Sequence, residues 1–183
     1  MIGSYLIFAV LGFILISTFT AHYNQNYLEQ YYATALRRES SQIADSFGNS
    51  YYRSELTLEE FQKQIAAVSS YLDADIYIVT TGGRVLITSE QYIRPSETES
   101  IKDFDILDFS GSNYSIGTFY DHYDDDVLTV YTPITRSYKV TCYAIICLPL
   151  SHITTLQYDL LNGFYLSLIF LLLLCLLYTS DAA

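Results

Sequence analysis

The chain contains 19 tyrosines, and several of them fall on or beside segments that are predicted to be β-strands. Aromatic rings attract cations, and a ring-lined pocket with a few polar groups is the usual form of a small-molecule site. An arginine beside such rings would add a partner for a carboxylate. The candidate residues for binding a small carboxylate or amine are Tyr77, Arg84, Tyr120, His122, Tyr131 and Tyr143. The commoner use of strand tyrosines, to fill and edge a sheet, is the alternative.

One dense acidic cluster follows the third predicted strand, at Asp121, Asp124, Asp125 and Asp126. Grouped carboxylates can hold Ca²⁺, which takes six to eight oxygen ligands. The spacing of an EF-hand is absent, however, and aspartate is common at polar turns for its own hydrogen bonding. The sequence therefore predicts no metal, with Asp121, Asp124 and Asp126 as the weak candidates.

The three histidines are His22, His122 and His152. His22 and His152 both lie near predicted membrane boundaries, where a pair that titrates near neutral pH could sense protons. Histidines at interfaces without such a role are far commoner. His152 lacks the acidic neighbour and downstream proline of a phosphoacceptor box, which argues against that role.

No motif within the chain predicts catalysis. A glycine-rich phosphate loop, a G-x-S-x-G elbow and a Ser-His-Asp set are all missing from the sequence. Cys142 and Cys147 are five residues apart in one predicted strand, so they point to opposite faces and do not pair there. Cys175 lies in an apolar run near the end. We expect no disulfide framework, no cysteine-based zinc site and no cofactor.

The charge balance excludes one class of partner. The 20 acidic and nine basic residues give a net charge of −11. Nucleic-acid phosphates require a basic surface, so the chain is not expected to bind nucleic acid. The same argument makes docking on anionic lipid headgroups unfavourable.

Two uncharged zones bracket the acidic middle, at residues 1–28 and 160–180. About 20 apolar residues in a helix rise about 30 Å, enough to cross a hydrocarbon core. We predict transmembrane helices at residues 1–22 and 161–178. Because no Lys or Arg precedes the first run, an uncleaved anchor is favoured over a signal peptide.

Residues 23–160 predict a single α+β domain. The helix of the first span continues with an apolar stripe at Leu28, Tyr32, Leu36, Ile43 and Phe47, and it ends near residues 48–50. A second helix starts at the Thr-x-x-Glu capping box of Thr57 and Glu60. Its apolar residues follow at three- and four-residue steps, at Leu58, Phe61, Ile65, Val68 and Leu72. Strands are predicted at 74–80, 84–88, 114–120, 127–134 and 140–148, a loop at 90–100, and helices at 101–109 and 151–162. The prediction is a five-stranded antiparallel sheet with helices on one face.

Three stretches carry a recognisable pattern. Residues 74–89 form a strand, a glycine-containing turn and a second strand, while residues 131–134 and 144–153 have the form of closing strands that lead into the second span. The layout resembles the extracytoplasmic PAS-like (single Cache) sensor domain of bacterial transmembrane receptors. It is most similar to the input half of two-component sensor histidine kinases from Firmicutes.

The resemblance implies a cell-membrane protein whose central domain lies outside the cytoplasm and meets a small-molecule or protein stimulus. Dimerisation of two copies through the first long helix is a further prediction. Because a kinase output would follow the second span, residues 179–183 are expected to be a truncated or non-native tail. Two alternatives stay open: the input of a chemotaxis receptor or cyclic-dinucleotide enzyme, and a stand-alone two-span envelope protein that binds a partner.

Overall fold

The computed structural model describes residues 2–48, 57–90, 100–105, 107 and 114–181. The chain divides into two compact units, one of residues 1–30 and 151–183 and one of residues 31–150. The helices are α1 (Ile2–Ser46), α2 (Leu58–Leu72) and α3 (Leu150–Asp181). The strands are β1 (Asp75–Thr80), β2 (Val85–Thr88), β3 (Ser115–Gly117), β4 (Val127–Arg136) and β5 (Lys139–Pro149).

The second unit is built on one antiparallel sheet in the order β2-β1-β5-β4-β3. Strand β5 lies in the centre, with Ile145 opposite Tyr77 of β1 on one side and opposite Tyr131 of β4 on the other. The predicted α+β class and the five-stranded antiparallel sheet are confirmed. The two hairpins predicted around residues 81–83 and 136–139 are also present.

Side chains alternate between the two faces of a strand. Both faces of β5 are buried, because every residue from 142 to 148 is buried. Tyr143, Ile145 and Cys147 belong to a cluster on one face. On the opposite face, Ser40 of α1 donates a 3.0 Å hydrogen bond from its buried hydroxyl to the carbonyl of Ala144. Helices α1 and α2 cover this second face, so β5 separates them from the cluster.

The two helices of the second unit follow the predicted apolar patterns. Leu36, Ile43 and Phe47 of the α1 stripe are buried, and the Phe47 ring meets Phe61 of α2 edge-on at 5.0 Å between centroids. This part of the stripe therefore packs within its own chain. The capping box of α2 is confirmed: Glu60 N donates to Thr57 Oγ1, and Thr57 N donates to Glu60 Oε2.

Two predicted elements are wrong in part. The strand predicted at 114–120 is confined to Ser115–Gly117, because the next residues turn sharply. Residues 101–105, where a short helix was expected, form a turn. The predicted loop at 90–100 and the helix end at 48–50 lie largely outside the described residues, as do residues 182–183 of the predicted tail.

The first unit contains the start of α1 and most of α3. Within it, the rings of Phe13 and Tyr165 lie 6.0 Å apart. Among the residues that the structure describes, no helix is long and apolar enough to cross a membrane. The two spans, and the domain boundaries drawn from them, stay predictions.

Candidate functional site

The second unit contains a pocket of about 190 Å³ on the face of the sheet opposite α1 and α2. Its described lining comes from two strands, one turn and one short segment. The lining residues are Tyr77, Val85, Ser100, Ile101, Lys102, Phe119, Tyr120, Asp121 and His122. Aromatic rings therefore share one small space with a carboxylate, an ammonium group and an imidazole.

The floor of the pocket is set by strand alternation. Tyr77 of β1 and Val85 of β2 both belong to the apolar cluster on this face. The ring of Tyr77 stacks on Phe119 at 6.0 Å and meets His122 edge-on at 5.8 Å. β-Branched and aromatic residues favour strands, so local preference is enough to place Tyr77 and Val85 on β1 and β2.

One wall is the turn that follows β3. Phe119, Tyr120 and Asp121 have φ of 45°, 56° and 56°, three successive non-glycine residues in the left-handed region. Left-handed backbone costs L-residues about 1–2 kcal/mol each, and such strain persists only where the surroundings hold it. Here His122 N donates to the Phe119 carbonyl at 3.2 Å, and Tyr123 N donates to the Thr118 carbonyl at 3.1 Å.

The other wall is the segment 100–105, which lies directly over Gly83. Ile101 N donates to the Gly83 carbonyl at 2.9 Å. Gly83 has φ of 80°, and a Cβ at this position would stand 2.8 Å from Cβ of Phe104. A side chain here would therefore be strained twice, by the backbone angle and by the contact. Only glycine lets the segment approach the β1–β2 turn so closely.

The hydroxyl of Tyr120 joins the two walls. It donates to the carbonyl of Asp105 at 2.8 Å and accepts from the amide of the same residue at 3.2 Å. The Tyr120 ring also packs against Phe104 at 5.6 Å between centroids. A single side chain thus holds the turn and the segment together at one end of the pocket.

A chain of hydroxyl groups lies beneath the pocket. Tyr123 donates to Oδ2 of Asp75 at 2.7 Å, and its oxygen lies 2.7 Å from the hydroxyl of Tyr77. Because a phenol has one proton, Tyr77 must be the donor to Tyr123. Burial raises the pKa of Tyr77 and of Tyr123 well above the ordinary tyrosine value. Both phenols therefore stay neutral and serve as hydrogen-bonding groups.

Cys147 lies on the same face but is not a reactive thiol. It is fully buried in the cluster, and burial raises its pKa to about 12 despite a hydrogen bond with Thr129. Because the thiolate is the nucleophilic form, a thiol with so high a pKa is inert near neutral pH. Cys142 and Cys147 are both free, as the strand spacing predicted.

The structure brings together three of the six predicted ligand-binding residues. Tyr77, Tyr120 and His122 line the pocket. Tyr131 and Tyr143 lie beside it on the same face, 6.4 Å apart edge-on, outside the described lining. Arg84 is exposed, and its backbone pairs with Ser100. No comparison or contact tests ligand binding by these six residues, so the assignment stays a prediction.

The acidic cluster forms no metal site within the described part of the chain, and neither do the histidines outside the pocket. Among the described residues, no group of three His, Cys, Asp or Glu side chains is placed to hold a metal ion. Asp121 instead accepts a hydrogen bond from Thr118 at 3.3 Å. His152 is exposed, and the side chain of His22 lies outside those described. The proton-sensing pair stays a prediction.

Sequence reasoning missed Phe119 and the segment that contributes Ile101 and Lys102 to the lining. Phe119 carried a usable signal, since it adjoins Tyr120 just before the aspartate-rich turn. Lys102 carried none, because its place depends on the close approach of its segment to Gly83. That approach joins residues from separate parts of the chain.

The chain is similar to several solved structures. A domain of a sensory box/GGDEF family protein from Vibrio parahaemolyticus has a TM-score of 0.50 and 12% identity, covering 77% of this chain and 63% of its own. The sensory domain of a Campylobacter jejuni chemoreceptor with isoleucine bound has a TM-score of 0.49 and 17% identity, covering 81% and 64%. The sensor domain of the V. cholerae histidine kinase DctB has a TM-score of 0.46 and 10% identity, covering 76% and 58%.

The present chain thus spans less than two thirds of the length of each of these structures. No protein-family model matches it, and no curated protein matches its sequence. What the likeness to the structure from Vibrio parahaemolyticus shows is the α+β fold.

Proposed function

We propose that this chain is the sensor region of a membrane signal-transduction receptor, and that the pocket between the segment 100–105 and the turn 118–123 binds a small-molecule stimulus. The pocket is the observation that carries the proposal. It combines aromatic rings with Lys102 and Asp121, and one of its walls is strained backbone of the kind that collects at functional sites. The likeness in fold to the domain of a sensory box/GGDEF family protein from Vibrio parahaemolyticus supports it.

Strand β5 gives such a stimulus a route through the second unit. Its residues Tyr143 and Ile145 belong to the cluster on the pocket side, whereas the carbonyl of Ala144 between them accepts from Ser40 of α1. A ligand that favours one packing of the cluster would therefore bias the position of α1. A ligand that binds one arrangement about 5.5 kcal/mol more tightly than the other would shift the equilibrium from 1:99 to 99:1.

The proposal extends to the membrane and to the output. Residues 1–22 and 161–178 would cross the bilayer, and the second unit would lie outside the cytoplasm. A two-component histidine kinase is the output we propose, and a chemotaxis or cyclic-dinucleotide output is the alternative. The nearly uncharged composition of both end regions supports the spans.

A thermal-shift screen of the full chain in detergent tests ligand binding. The library should contain amino acids, dicarboxylates and small amines. We expect at least one class to raise Tm, and Phe119→Ala or His122→Ala to abolish the shift, since both residues line the pocket. Tyr71→Phe, at a highly exposed position of α2 outside the lining, is the control and should retain it. A library without effect, or a shift that survives both pocket variants, would contradict the proposal.

Topology and output require separate measurements. Alkaline phosphatase, which is active only outside the cytoplasm, should be active when fused after Tyr138 in the exposed β4–β5 turn and inactive when fused after the last residue. For the output, the chain can be joined to the cytoplasmic half of a characterised histidine kinase. A hit from the screen should then change autophosphorylation, and the Phe119→Ala chimera should not respond.

We also propose that two copies associate through α1. Since Leu36, Ile43 and Phe47 are buried in their own chain, the contact would use the exposed face that includes Tyr27 and Tyr31. Single cysteines along residues 26–35 should cross-link with helical periodicity, peaking near positions 27 and 31. A flat cross-linking profile would rule out this interface.

A further inference from the structure

The two walls of the pocket are fastened differently at their two ends. We call the segment of residues 100–105 the strap, and the pair formed by Tyr120 and Asp105 the clasp. At its start, the strap is fixed by backbone contacts: Arg84 pairs with Ser100, and Ile101 N donates to the Gly83 carbonyl. At its far end, the clasp is made by one side-chain hydroxyl that both donates to and accepts from Asp105.

The strap has little freedom to move as far as Phe104. A Cβ added to Gly83 would lie 3.0 Å from the carbonyl oxygen of Ile101 and 2.8 Å from Cβ of Phe104, so the strap and the β1–β2 turn are in close contact. The clasp is different, because Asp105 is exposed and the hydrogen bonds of the clasp border solvent. Water can replace both bonds, so their net contribution is small.

We propose that Tyr120 is a positioning residue that controls access to the pocket: when the clasp opens, the turn 118–123 separates from Asp105 while residues 100–104 of the strap stay on Gly83. Lys102 lies between Ile101 and Phe104, the two strap residues that contact Gly83, and it lines the pocket. Opening would therefore widen the pocket on the side of Tyr120, where the turn moves away from the strap. The inference rests on the proposed function only in assigning a ligand to the opened pocket.

The clasp is one of several contacts that hold the strained turn. Phe119, Tyr120 and Asp121 are held in left-handed backbone, and the clasp directs the Tyr120 ring toward Phe104. If the clasp opens, the turn loses one of the contacts that hold this backbone in place. The turn should therefore move when the clasp opens while the strap stays on Gly83, which is the behaviour expected of a lid that closes on a fixed partner.

Thiol labelling of a pocket residue measures access without any ligand. Val85 lines the pocket, is 5% exposed and is replaced by cysteine with little change of volume. The labelling rate of Val85→Cys with a small methanethiosulfonate is measured in the full chain, after subtraction of the rate of the parent, which has three cysteines of its own. Tyr120→Phe keeps the ring and removes the clasp hydroxyl, and it should raise the rate about fivefold.

The control is Tyr131→Phe, which removes a phenol hydroxyl on the same face of the sheet but outside the lining. Its labelling rate should equal that of Val85→Cys alone. An unchanged rate in Tyr120→Phe would overturn the proposal. Equal acceleration by Tyr131→Phe would overturn it too, because the effect would then be a general loosening of the domain.

Hydrogen exchange on the unaltered chain keeps the proposal testable if Tyr120→Phe fails to fold. The amide of Asp105 donates in the clasp, and it should exchange through a local opening that low urea does not change, well before the central amides of Ile145 and Ile146. Exchange of Asp105 only by global unfolding would overturn the proposal. A failed ligand screen with confirmed clasp opening would reject the proposed function and leave the clasp standing.

Discussion

The hydroxyl of Tyr123 donates a 2.7 Å hydrogen bond to the carboxylate of Asp75, and it accepts from Tyr77 at the same distance. Tyr123 belongs to the turn beyond β3, whereas Asp75 and Tyr77 belong to β1. One phenol thus anchors the strained turn to the first strand of the sheet. It also fixes the direction of the hydrogen bonds beneath the pocket, with each proton pointing toward the carboxylate.

Removal of this phenol should destabilise the second unit. Tyr123→Phe keeps the ring but leaves the Asp75 carboxylate and the Tyr77 hydroxyl each without their partner. A hydrogen bond to a charged group contributes about 1.5–3 kcal/mol, so we expect a loss of about 2 kcal/mol in the free energy of unfolding. Urea unfolding measures this loss. Tyr71→Phe, at a highly exposed position, is the control and should have no effect, and a loss of similar size there would contradict the interpretation.

Alkaline pH should destabilise the same region. Burial raises the pKa of Tyr77 and of Tyr123 above the ordinary value of 10.0, so the folded state favours the neutral phenols. Their contribution is fully present below about pH 10 and is lost as the pH rises further, because the unfolded chain then releases protons that the folded chain retains. The urea midpoint should fall between about pH 9 and about pH 11. In the double variant Tyr77→Phe, Tyr123→Phe it should fall less, and an equal fall would contradict this assignment.

The contact between α1 and the central strand is testable at one hydroxyl. Ser40 is fully buried, and its hydroxyl donates to the carbonyl of Ala144. Ser40→Ala should cost about 1 kcal/mol, the usual contribution of a buried hydrogen bond. Ser41→Ala, at the next and exposed position, should cost much less in the same urea titration. If the pocket signals through β5, Ser40→Ala should also weaken the response of the kinase chimera while ligand still raises Tm.

The start of α2 gives a local prediction. Thr57→Ala removes the side-chain acceptor of the capping box and should cost about 1 kcal/mol, whereas Thr57→Ser should retain most of the stability. The backbone N–H and the side chain of Thr57 lower the pKa of Glu60 below 4.5. The contribution of Glu60 is therefore present above that pH and is lost as the pH falls below it. Thermal unfolding at one pH above 4.5 and one well below it separates the contribution of the Glu60 carboxylate from that of the Thr57 side chain. An unchanged Tm in Thr57→Ala would contradict a stabilising role for the capping box.

The parts of the fold that depend on neighbouring residues could be predicted. The capping box at Thr57 and the apolar spacing through Phe61 and Ile65 specify α2 without any other segment, because helix contacts join residues three and four apart. Strands β1 and β5 carry β-branched and aromatic residues on both faces, as central strands do. Cys142 and Cys147 were assigned to opposite faces by the period of two alone.

The turn after β3 could not be predicted, because its conformation depends on distant contacts. Phe119 and Tyr120 have strand propensity and were expected in an extended segment. Their left-handed backbone is accompanied by the bond of Tyr120 to Asp105, 15 residues away, and by the stacking of Phe119 on Tyr77. Tertiary contacts here outweigh intrinsic preference.

The sequence by itself determined the α+β class, the five strands, the capped helix and the aromatic character of the site, since each follows from composition or from a short periodic pattern. The tertiary structure decided which residues form the pocket. Tyr77, Tyr120 and His122 meet there, whereas Arg84, Tyr131 and Tyr143 do not line it. The physical reason is that Gly83 admits the strap and Tyr120 fastens it, two contacts between segments that no local pattern connects.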